Sequence, residues 1–253
     1  MGVAVTGRSS HADVRRGWIS ADVRYRQRVA TSAGLPEKPL EDYPRPSVAV
    51  DVAVLTVRND ALQVVVVDHR MGGLALPGTF LHAGERLADA ASRALRDKAG
   101  LIGVEFSQLK VFDDPRRDER GWVLSVGHSG ALSAELIGSD VELTTVSDGR
   151  PNEPLLFDHA EIIALAVAEL RTRYGRTLDP AGLLGEVFTV FQMRRLYQAV
   201  FGRPLVKDTF RRYVIGAMEP TGELANAFGR PAELFRKRPG AALPAAAMAF
   251  LVG

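Results

Sequence analysis

The chain has 253 residues, of which 46% are hydrophobic and 25% charged, a composition typical of globular proteins and a length sufficient for two domains. It contains no cysteine, which excludes disulfides, thiolate metal sites and a cysteine nucleophile. No apolar run approaches the roughly 18–20 residues that a membrane helix needs, and the first residues lack the order of a secretory signal, so we expect a cytoplasmic protein.

Charge is distributed unevenly along the chain. The net charge is +3 over residues 1–45, −7 over residues 46–189 and +6 over residues 190–253. An acidic middle followed by a basic end predicts two parts with different roles, and the basic part is the candidate for binding a polyanion.

Residues 1–45 show no sustained hydrophobic period, and we interpret them as a flexible N-terminal leader, disordered or loosely helical, that ends in the rigid Pro44–Pro46 segment. Two other interpretations stay open. The leader is basic enough to be an arm that touches DNA, and it is also compatible with an artefact of start-codon choice.

Residues 46–154 combine β-branched runs with one segment of helical spacing. Gly100 is the predicted stop of that helix, Ala131–Ile137 is ambiguous, and residues 138–154 have the composition of a surface loop. The predicted elements are strands at Ser47–Val57 and Leu62–Val67 around a turn at Arg58–Asp60, a loop and short strand at Leu76–Phe80, a helix at Arg86–Ala99, and strands at Leu109–Phe112 and Trp122–Val126 around a charged loop, Asp113–Gly121.

The composition changes at Leu155, after which helices dominate. Asp158 and Glu161 have the spacing of a capping box at the start of the next helix. The order of helix, tight turn, helix and hairpin is typical of a winged helix-turn-helix. The predicted elements are helices at Asp158–Arg173, Phe191–Val200 and Lys207–Met218, a turn at Gly202–Pro204, a short apolar segment at Leu183–Val187 and a strand at Glu233–Arg238.

The segment Leu76–Leu101 resembles the signature of the Nudix hydrolase family. That signature places a glycine, a glutamate, an arginine, three glutamates and a final glycine at fixed spacings. Glu85, Arg93 and Gly100 match it, as does the preceding Leu-Pro-Gly. The departures are Thr79 for the first glycine, and Ala94, Asp97 and Lys98 for the three glutamates.

These departures remove the metal site that the resemblance would imply. Positions 94, 97 and 98 share one face of a helix, where carboxylates would gather Mg²⁺. Ala94 offers no ligand, and Lys98 places a positive charge where the cation would bind. We therefore predict no catalytic residue, no metal ligand and no hydrolysis. The retained Glu85 and Arg93 fit either a structural ion pair or a ligand role.

His69–Arg70 and the loop Asp114–Gly121 are similar to features of the Nudix subgroup that handles ADP-ribose. The resemblance implies ADP-ribose, or a related nucleotide, as an effector, with no further cofactor. Arginine suits a diphosphate because its planar fork donates two parallel hydrogen bonds. A solvated loop remains open for this segment, as does a core position for Phe80. The predicted effector-binding residues are Arg70, Phe80, Glu85, Arg117, Asp118 and Arg120.

Residues from Leu155 to about Arg238 resemble the partner domain of the Nudix-related transcriptional regulators, the NrtR-like family. The shared segments include Phe191–Tyr197, Gly202–Leu205 and Glu219–Gly222. The resemblance implies a homodimeric repressor of genes for NAD synthesis or salvage. The predicted DNA-binding residues are Arg203, Lys207, Thr209, Arg211, Arg212, Arg230, Arg236 and Lys237.

Together these patterns predict an α+β protein of four segments. Residues 1–45 are the leader, and residues 46–154 form a Nudix-type α/β/α sandwich that senses the effector. Residues 155–240 form a winged helix-turn-helix domain in which Phe210, Val214 and Met218 face the core. Residues 241–253 are an apolar tail of unknown role. The competing hypotheses are an active ADP-ribose pyrophosphatase with an accessory basic domain, and an interaction module that binds no nucleic acid.

Overall fold

The computed structural model describes residues 38–225 and 231–253. The chain divides into two units, residues 1–45 and residues 46–253, and only residues 38–45 of the first are described. The described part of the first unit contains a single 3-10 turn, Leu40–Asp42. The rest of the predicted leader lies outside the described residues, as does Arg230.

A seven-stranded mixed sheet forms the first half of the second unit. The strands in this half are β1 (Ser47–Arg58), β2 (Ala61–Val65), β3 (Val67–Asp68), β4 (Leu74–Ala75), β5 (Gly78–Phe80), β6 (Phe106–Phe112), β7 (Val123–Ala131), β8 (Leu143–Ser147) and β9 (Arg150–Pro151). The central strand of the sheet, β1, pairs in parallel with β7 and antiparallel with β2 and β5, and the strand order is β6-β7-β1-β2-β8-β9 with β5 beside β1. Strands β3 and β4 form a separate hairpin.

Helices cover both faces of this sheet, as the α/β/α prediction requires. Side chains alternate across a strand, so β1 packs one way through Val50, Val52 and Val54 and the other way through Ala53 and Leu55. The first face packs against helix α1 (Leu87–Ala99) and the second against helix α2 (His159–Tyr174).

The second half of the unit is a winged helix, as predicted. A two-residue strand, β10 (Phe188–Thr189), leads into helix α3 (Val190–Phe201), a turn and helix α4 (Lys207–Val214). Strands β11 (Met218–Ala225) and β12 (Ala232–Lys237) complete a sheet of order β10-β12-β11.

One apolar core runs through both halves. It contains Ile162 and Leu170 of α2, Tyr197 of α3 and Phe210 of α4, together with Leu55 of the sheet. Helix α2 therefore packs against the sheet and the winged helix at once. The domain boundary predicted at residue 155 stays a prediction, because residues 46–253 pack as one unit.

Several local predictions need correction or extension. Residues 138–154, predicted as a surface loop, contain strands β8 and β9 of the main sheet. The helix predicted to reach Met218 ends at Val214, and a 3-10 turn, Ile215–Ala217, leads into β11, although Phe210, Val214 and Met218 are buried as predicted. The predicted tail folds into a short helix, α5 (Ala246–Val252). None of the helices described in residues 38–225 and 231–253 has the length and apolarity to cross a bilayer.

The capping box predicted at Asp158 and Glu161 is wrong. Asp158 precedes α2 but makes no side-chain cap, because Arg117 binds its carboxylate instead. A capping box is present at the start of α3, where the Thr189 side chain accepts from the Gln192 backbone N–H and the Gln192 side chain accepts from the Thr189 N–H.

Candidate functional site

A cleft of about 940 Å³ opens over the sheet, between the C-terminal end of α1, the charged loop and the first turn of α2. Five of the six predicted effector-binding residues line it. They are Arg70, Phe80, Arg117, Asp118 and Arg120. Glu85, the sixth, is absent from the lining.

Glu85 is engaged in an ion pair with Arg93. The Arg93 Nε and Nη2 atoms each donate to the Glu85 carboxylate at 2.8 Å, and Arg93 also donates to Thr79 Oγ1 at 3.0 Å and to the Phe80 carbonyl at 2.9 Å. These hydrogen bonds, with one from the His82 backbone N–H, lower the pKa of Glu85 to about 2. This ion pair holds the loop before α1 against the helix. That is a structural role, one of the two roles considered for Glu85 and Arg93.

Arg117 lies in the wall of the cleft and is already bound by carboxylates. Its Nη2 donates to Asp158 at 2.6 Å and to Asp51 at 3.4 Å, and its Nε donates to Asp158 at 2.9 Å. The side chain is 4% exposed. Arg117 therefore shapes and holds the cleft, rather than offering an unpaired guanidinium to a ligand.

Asp51 and His159, neither of them predicted as a site residue, complete this buried network. The Leu76 backbone N–H donates to His159 Nδ1 at 2.9 Å, which leaves the ring proton on Nε2, 3.4 Å from Asp51 Oδ1. Burial alone would raise the pKa of Asp51, but His159, the Ser125 hydroxyl and Arg117 lower it below its ordinary value. The available signal was one carboxylate inside the otherwise apolar strand Ser47–Val57.

Arg120 forms the mouth of the cleft with two aromatic rings. Its Nε and Nη2 donate to Asp118 at 2.8 and 2.6 Å, and these bonds lower the pKa of Asp118 to about 2. The guanidinium carbon lies 5.5 Å from the Phe80 ring centroid and 5.7 Å from that of Phe157. Phe80 is 39% exposed, which makes its ring available for stacking.

Phe157 is a further lining residue that the sequence did not single out. Its φ of 58° lies in the left-handed region, which is costly for a bulky side chain. The ring packs against His69 at 5.4 Å and His159 at 5.3 Å between centroids. Phe157 thus connects the hairpin side of the cleft to the start of α2.

The helix face that would hold a metal does not fit one. Ala94 is buried, Asp97 pairs with Arg96 at 2.9 Å, and Lys98 lines the cleft. Partial burial, together with Arg70 and Arg120 nearby, lowers the pKa of Lys98, although Asp51 opposes this. Residues 38–225 and 231–253 contain no cluster of three or more acidic, histidine or cysteine side chains suited to a metal ion.

The predicted DNA-binding residues fall into two groups. Lys207, Arg211 and Arg212 on α4 and Arg236 on β12 are exposed, and Thr209 is half-buried. Lys237 has a hydrogen-bond partner within the protein, since its Nζ donates to the Asp179 carbonyl at 2.9 Å. A buried Nη1 of Arg203 packs beside Gly253.

Helix α3 adds two cations that were not predicted as site residues. Arg194 donates to the Leu205 carbonyl at 3.1 Å, and Arg195 pairs with Asp60 in the β1–β2 turn. Both guanidinium groups lie within 6 Å of the exposed Phe191 ring. Their sequence signal was the Arg194-Arg195 pair inside an amphipathic helix.

Comparisons with known proteins fit this arrangement. Residues 180–236 match the family described as the NrtR DNA-binding winged helix domain. Over 208 residues the chain is 29% identical to the ADPR responsive transcriptional repressor NtrR of Acinetobacter baylyi, a match that covers 77% of this chain and 83% of that protein. Over 127 residues it is 34% identical to an ADP-ribose pyrophosphatase of Methanocaldococcus jannaschii, covering 48% of this chain and 73% of that protein.

A solved structure shows the same two-part architecture. The crystal structure of Shewanella oneidensis NrtR complexed with a 27mer DNA matches with a TM-score of 0.64 and 27% sequence identity, covering 80% of this chain and 96% of that one. The similarity therefore extends over the sheet, the linking helix and the winged helix together.

Proposed function

Since the chain belongs to the NrtR-like family of Nudix-related transcriptional regulators, we propose that it is a DNA-binding repressor whose Nudix-type domain senses ADP-ribose. The observation that carries the proposal is that the cleft and the winged helix belong to one compact unit. The winged helix presents exposed cations, and the cleft lies at the other end of α2, which packs against both.

The DNA-binding part of the proposal rests on α4. This helix exposes Lys207, Arg211 and Arg212 and buries Phe210 and Val214, so one face packs on the core and the other is available for the major groove. Changing Arg211 and Arg212 together to Ala should weaken operator binding. It should also reduce the slope of the logarithm of affinity against the logarithm of salt concentration by about 2. Arg116→Ala, at an exposed cation outside the winged helix, is the matched control.

The sensing part rests on the contacts between the cleft and α2. Arg117 and His159 belong to the cleft wall, and Asp158 and His159 begin α2. A ligand changes DNA affinity only as far as it binds one arrangement of the protein better than another. An electrophoretic or fluorescence titration with ADP-ribose should shift operator affinity. An unchanged affinity at saturating ADP-ribose would refute this part of the proposal.

We propose further that the protein does not hydrolyse its effector. The M. jannaschii relative favours the alternative, an active pyrophosphatase, because its identity to this chain is the higher of the two, 34% over 127 residues against 29% over 208 residues. Against it stand Ala94 in place of a carboxylate and Lys98 in the cleft, where repulsion of a cation is about 4 kcal/mol per charge pair at 4 Å. Incubation with ADP-ribose and Mg²⁺ or Mn²⁺ should release no AMP at an enzymatic rate.

Two finer points belong to the same proposal. A homodimer would place two copies of α4 on half-sites about one helical turn apart, roughly 34–36 Å. The controlled genes would be those of NAD synthesis or salvage. Light scattering of the free protein tests the first point. Selection of bound genomic fragments, with and without ADP-ribose, tests the second and shows whether effector releases or tightens DNA binding.

A further inference from the structure

The segment after the wing folds back onto the C-terminal end of α2. The Leu243 backbone N–H donates to the Arg176 carbonyl at 2.8 Å, and Ala242 forms an isolated antiparallel bridge with Thr177. Met248 fills the space beside Gly175, where a β-carbon would collide with its sulfur. This segment follows residue 236, the last residue of the matched winged helix family.

Helix α5 has one side buried in the common core. Leu243, Ala247 and Leu251 are 7%, 1% and 2% exposed and are part of the cluster that contains α2 and α4. These residues hold α5 in place. Phe250, next to Leu251, is half-buried and packs at the edge of this core.

Phe250 packs against α4, the helix that carries cations predicted to bind DNA. Its ring lies 5.3 Å from the Tyr213 ring of α4, at an interplanar angle of 32°. The Arg212 guanidinium carbon in turn lies 5.7 Å from the centroid of the Tyr213 ring. Phe250, Tyr213 and Arg212 therefore form a row of neighbouring side chains, with Arg212 exposed at the outer end.

We propose that α5, through the Phe250–Tyr213 contact, positions the Arg212 guanidinium for binding DNA. This inference rests on the proposed function. An arginine side chain loses much conformational freedom when it contacts a phosphate or base, and a ring that already fixes its orientation reduces that loss. Phe250 is a positioning residue here, since it acts on DNA through Tyr213 and Arg212.

The test uses the full-length protein and a double-mutant cycle between Phe250 and Arg212. Phe250→Ala should weaken operator binding about fivefold, a size expected from losing one aromatic contact and part of one cation–π contact. In the Arg212→Ala background, Phe250→Ala should have no further effect on affinity. Val252→Ala, at an exposed apolar residue of the same helix, is the matched control and should leave affinity unchanged.

Phe250→Leu keeps an apolar side chain at this site and serves where the alanine variant folds poorly. Equal losses from the Phe250 substitution in both Arg212 backgrounds would overturn the proposal and leave DNA binding itself in place. The proposal also fails if Arg212→Ala alone does not weaken operator binding. Absence of operator binding by the unsubstituted protein would instead refute the proposed function.

Discussion

Arg117 and Asp158 form a bidentate ion pair that joins the charged loop beside the cleft to the first turn of α2. The two hydrogen bonds are 2.6 and 2.9 Å, and the side chains are 4% and 19% exposed. The same guanidinium reaches Asp51 in the central strand at 3.4 Å. Because α2 also packs on the winged helix, this pair is a physical connection between the two sites.

The first prediction concerns the stability of this pair. Arg117→Ala leaves two carboxylates without their cation in a buried site, so we expect a loss of about 3 kcal/mol in the free energy of unfolding. The double variant with Asp158→Ala should lose less than the sum of the single variants, with a coupling of about 1–3 kcal/mol measured by urea denaturation. Arg116→Ala, next in sequence and 92% exposed, should change stability by less than about 0.5 kcal/mol. Additive losses would show that the two residues act independently.

The second prediction concerns signalling through the same pair. Asp158→Asn keeps the size of the side chain and removes its charge, which weakens the connection between loop and helix. We expect this variant to bind operator and ADP-ribose separately while the coupling between them, typically about 1–3 kcal/mol in allosteric proteins, falls toward zero. Parallel titrations of operator with and without ADP-ribose measure this coupling. An unchanged coupling would show that the two sites communicate through other residues.

Much of the fold could be predicted from the sequence because its signals are local. The apolar run at Ser47–Val57, the helical spacing after Arg86 and the helix–turn–helix order after residue 190 each depend on neighbouring residues, and the structure confirms them. The buried positions of Phe210, Val214 and Met218 follow from their spacing of four, even though Met218 begins a strand.

The partners of the charged residues could not be predicted, since they come from distant parts of the chain. Asp158 has the spacing of a capping residue, yet it binds Arg117, 41 positions away. An ionised guanidinium in a buried site forms a stronger hydrogen bond than a backbone N–H at a helix terminus. Lys237, predicted to contact DNA, likewise has a distant partner, the backbone carbonyl of Asp179, 58 positions away. The assignment of the cleft residues as ADP-ribose ligands stays a prediction.

The third prediction concerns Gly78, where two segments approach too closely for a side chain. A β-carbon there would overlap the Asp51 carboxylate and lie 2.9 Å from the Val50 carbonyl. Gly78→Ala should therefore destabilise the protein by about 3 kcal/mol, as overpacking of a core does, and displace Asp51 from its partners. In thermal unfolding, Gly185→Ala is the control, because among the described residues none has a heavy atom within 4 Å of a β-carbon at Gly185. Similar melting temperatures for the two variants would contradict the prediction.

The fourth prediction is a pH dependence from Asp118. Its hydrogen bonds with Arg120 lower the pKa to about 2 from an ordinary value of 3.8. A carboxylate with a lowered pKa in the folded state stabilises the protein above its unfolded pKa, and this stabilisation is lost as the pH falls from 3.8 toward 2. At pH 7 the contribution is on the order of 2 kcal/mol.

The stability difference between the unsubstituted protein and Asp118→Asn should therefore be constant above pH 5 and shrink below about pH 4. Denaturant unfolding at a series of pH values measures it. Glu119→Gln is the control, since the neighbouring Glu119 has no hydrogen-bonded partner within the described part of the chain. A difference that grows on acidification would reverse the sign and refute the assignment.

The fifth prediction concerns Lys98, which lines the cleft at a position where the Nudix signature has a glutamate. It has no ion-pair or hydrogen-bond partner among the described residues, so its ammonium group is available for an anionic ligand. A charge-assisted hydrogen bond is worth about 1.5–3 kcal/mol, so Lys98→Ala should weaken ADP-ribose binding tenfold or more by calorimetry. EDTA should leave the affinity of the unsubstituted protein unchanged, because a lysine supplies the positive charge that a divalent ion would otherwise bring. Lys110→Ala, at an exposed lysine paired with Glu161, should bind normally. Binding that needs Mg²⁺, or that survives Lys98→Ala intact, would mean that the diphosphate is held elsewhere in the cleft.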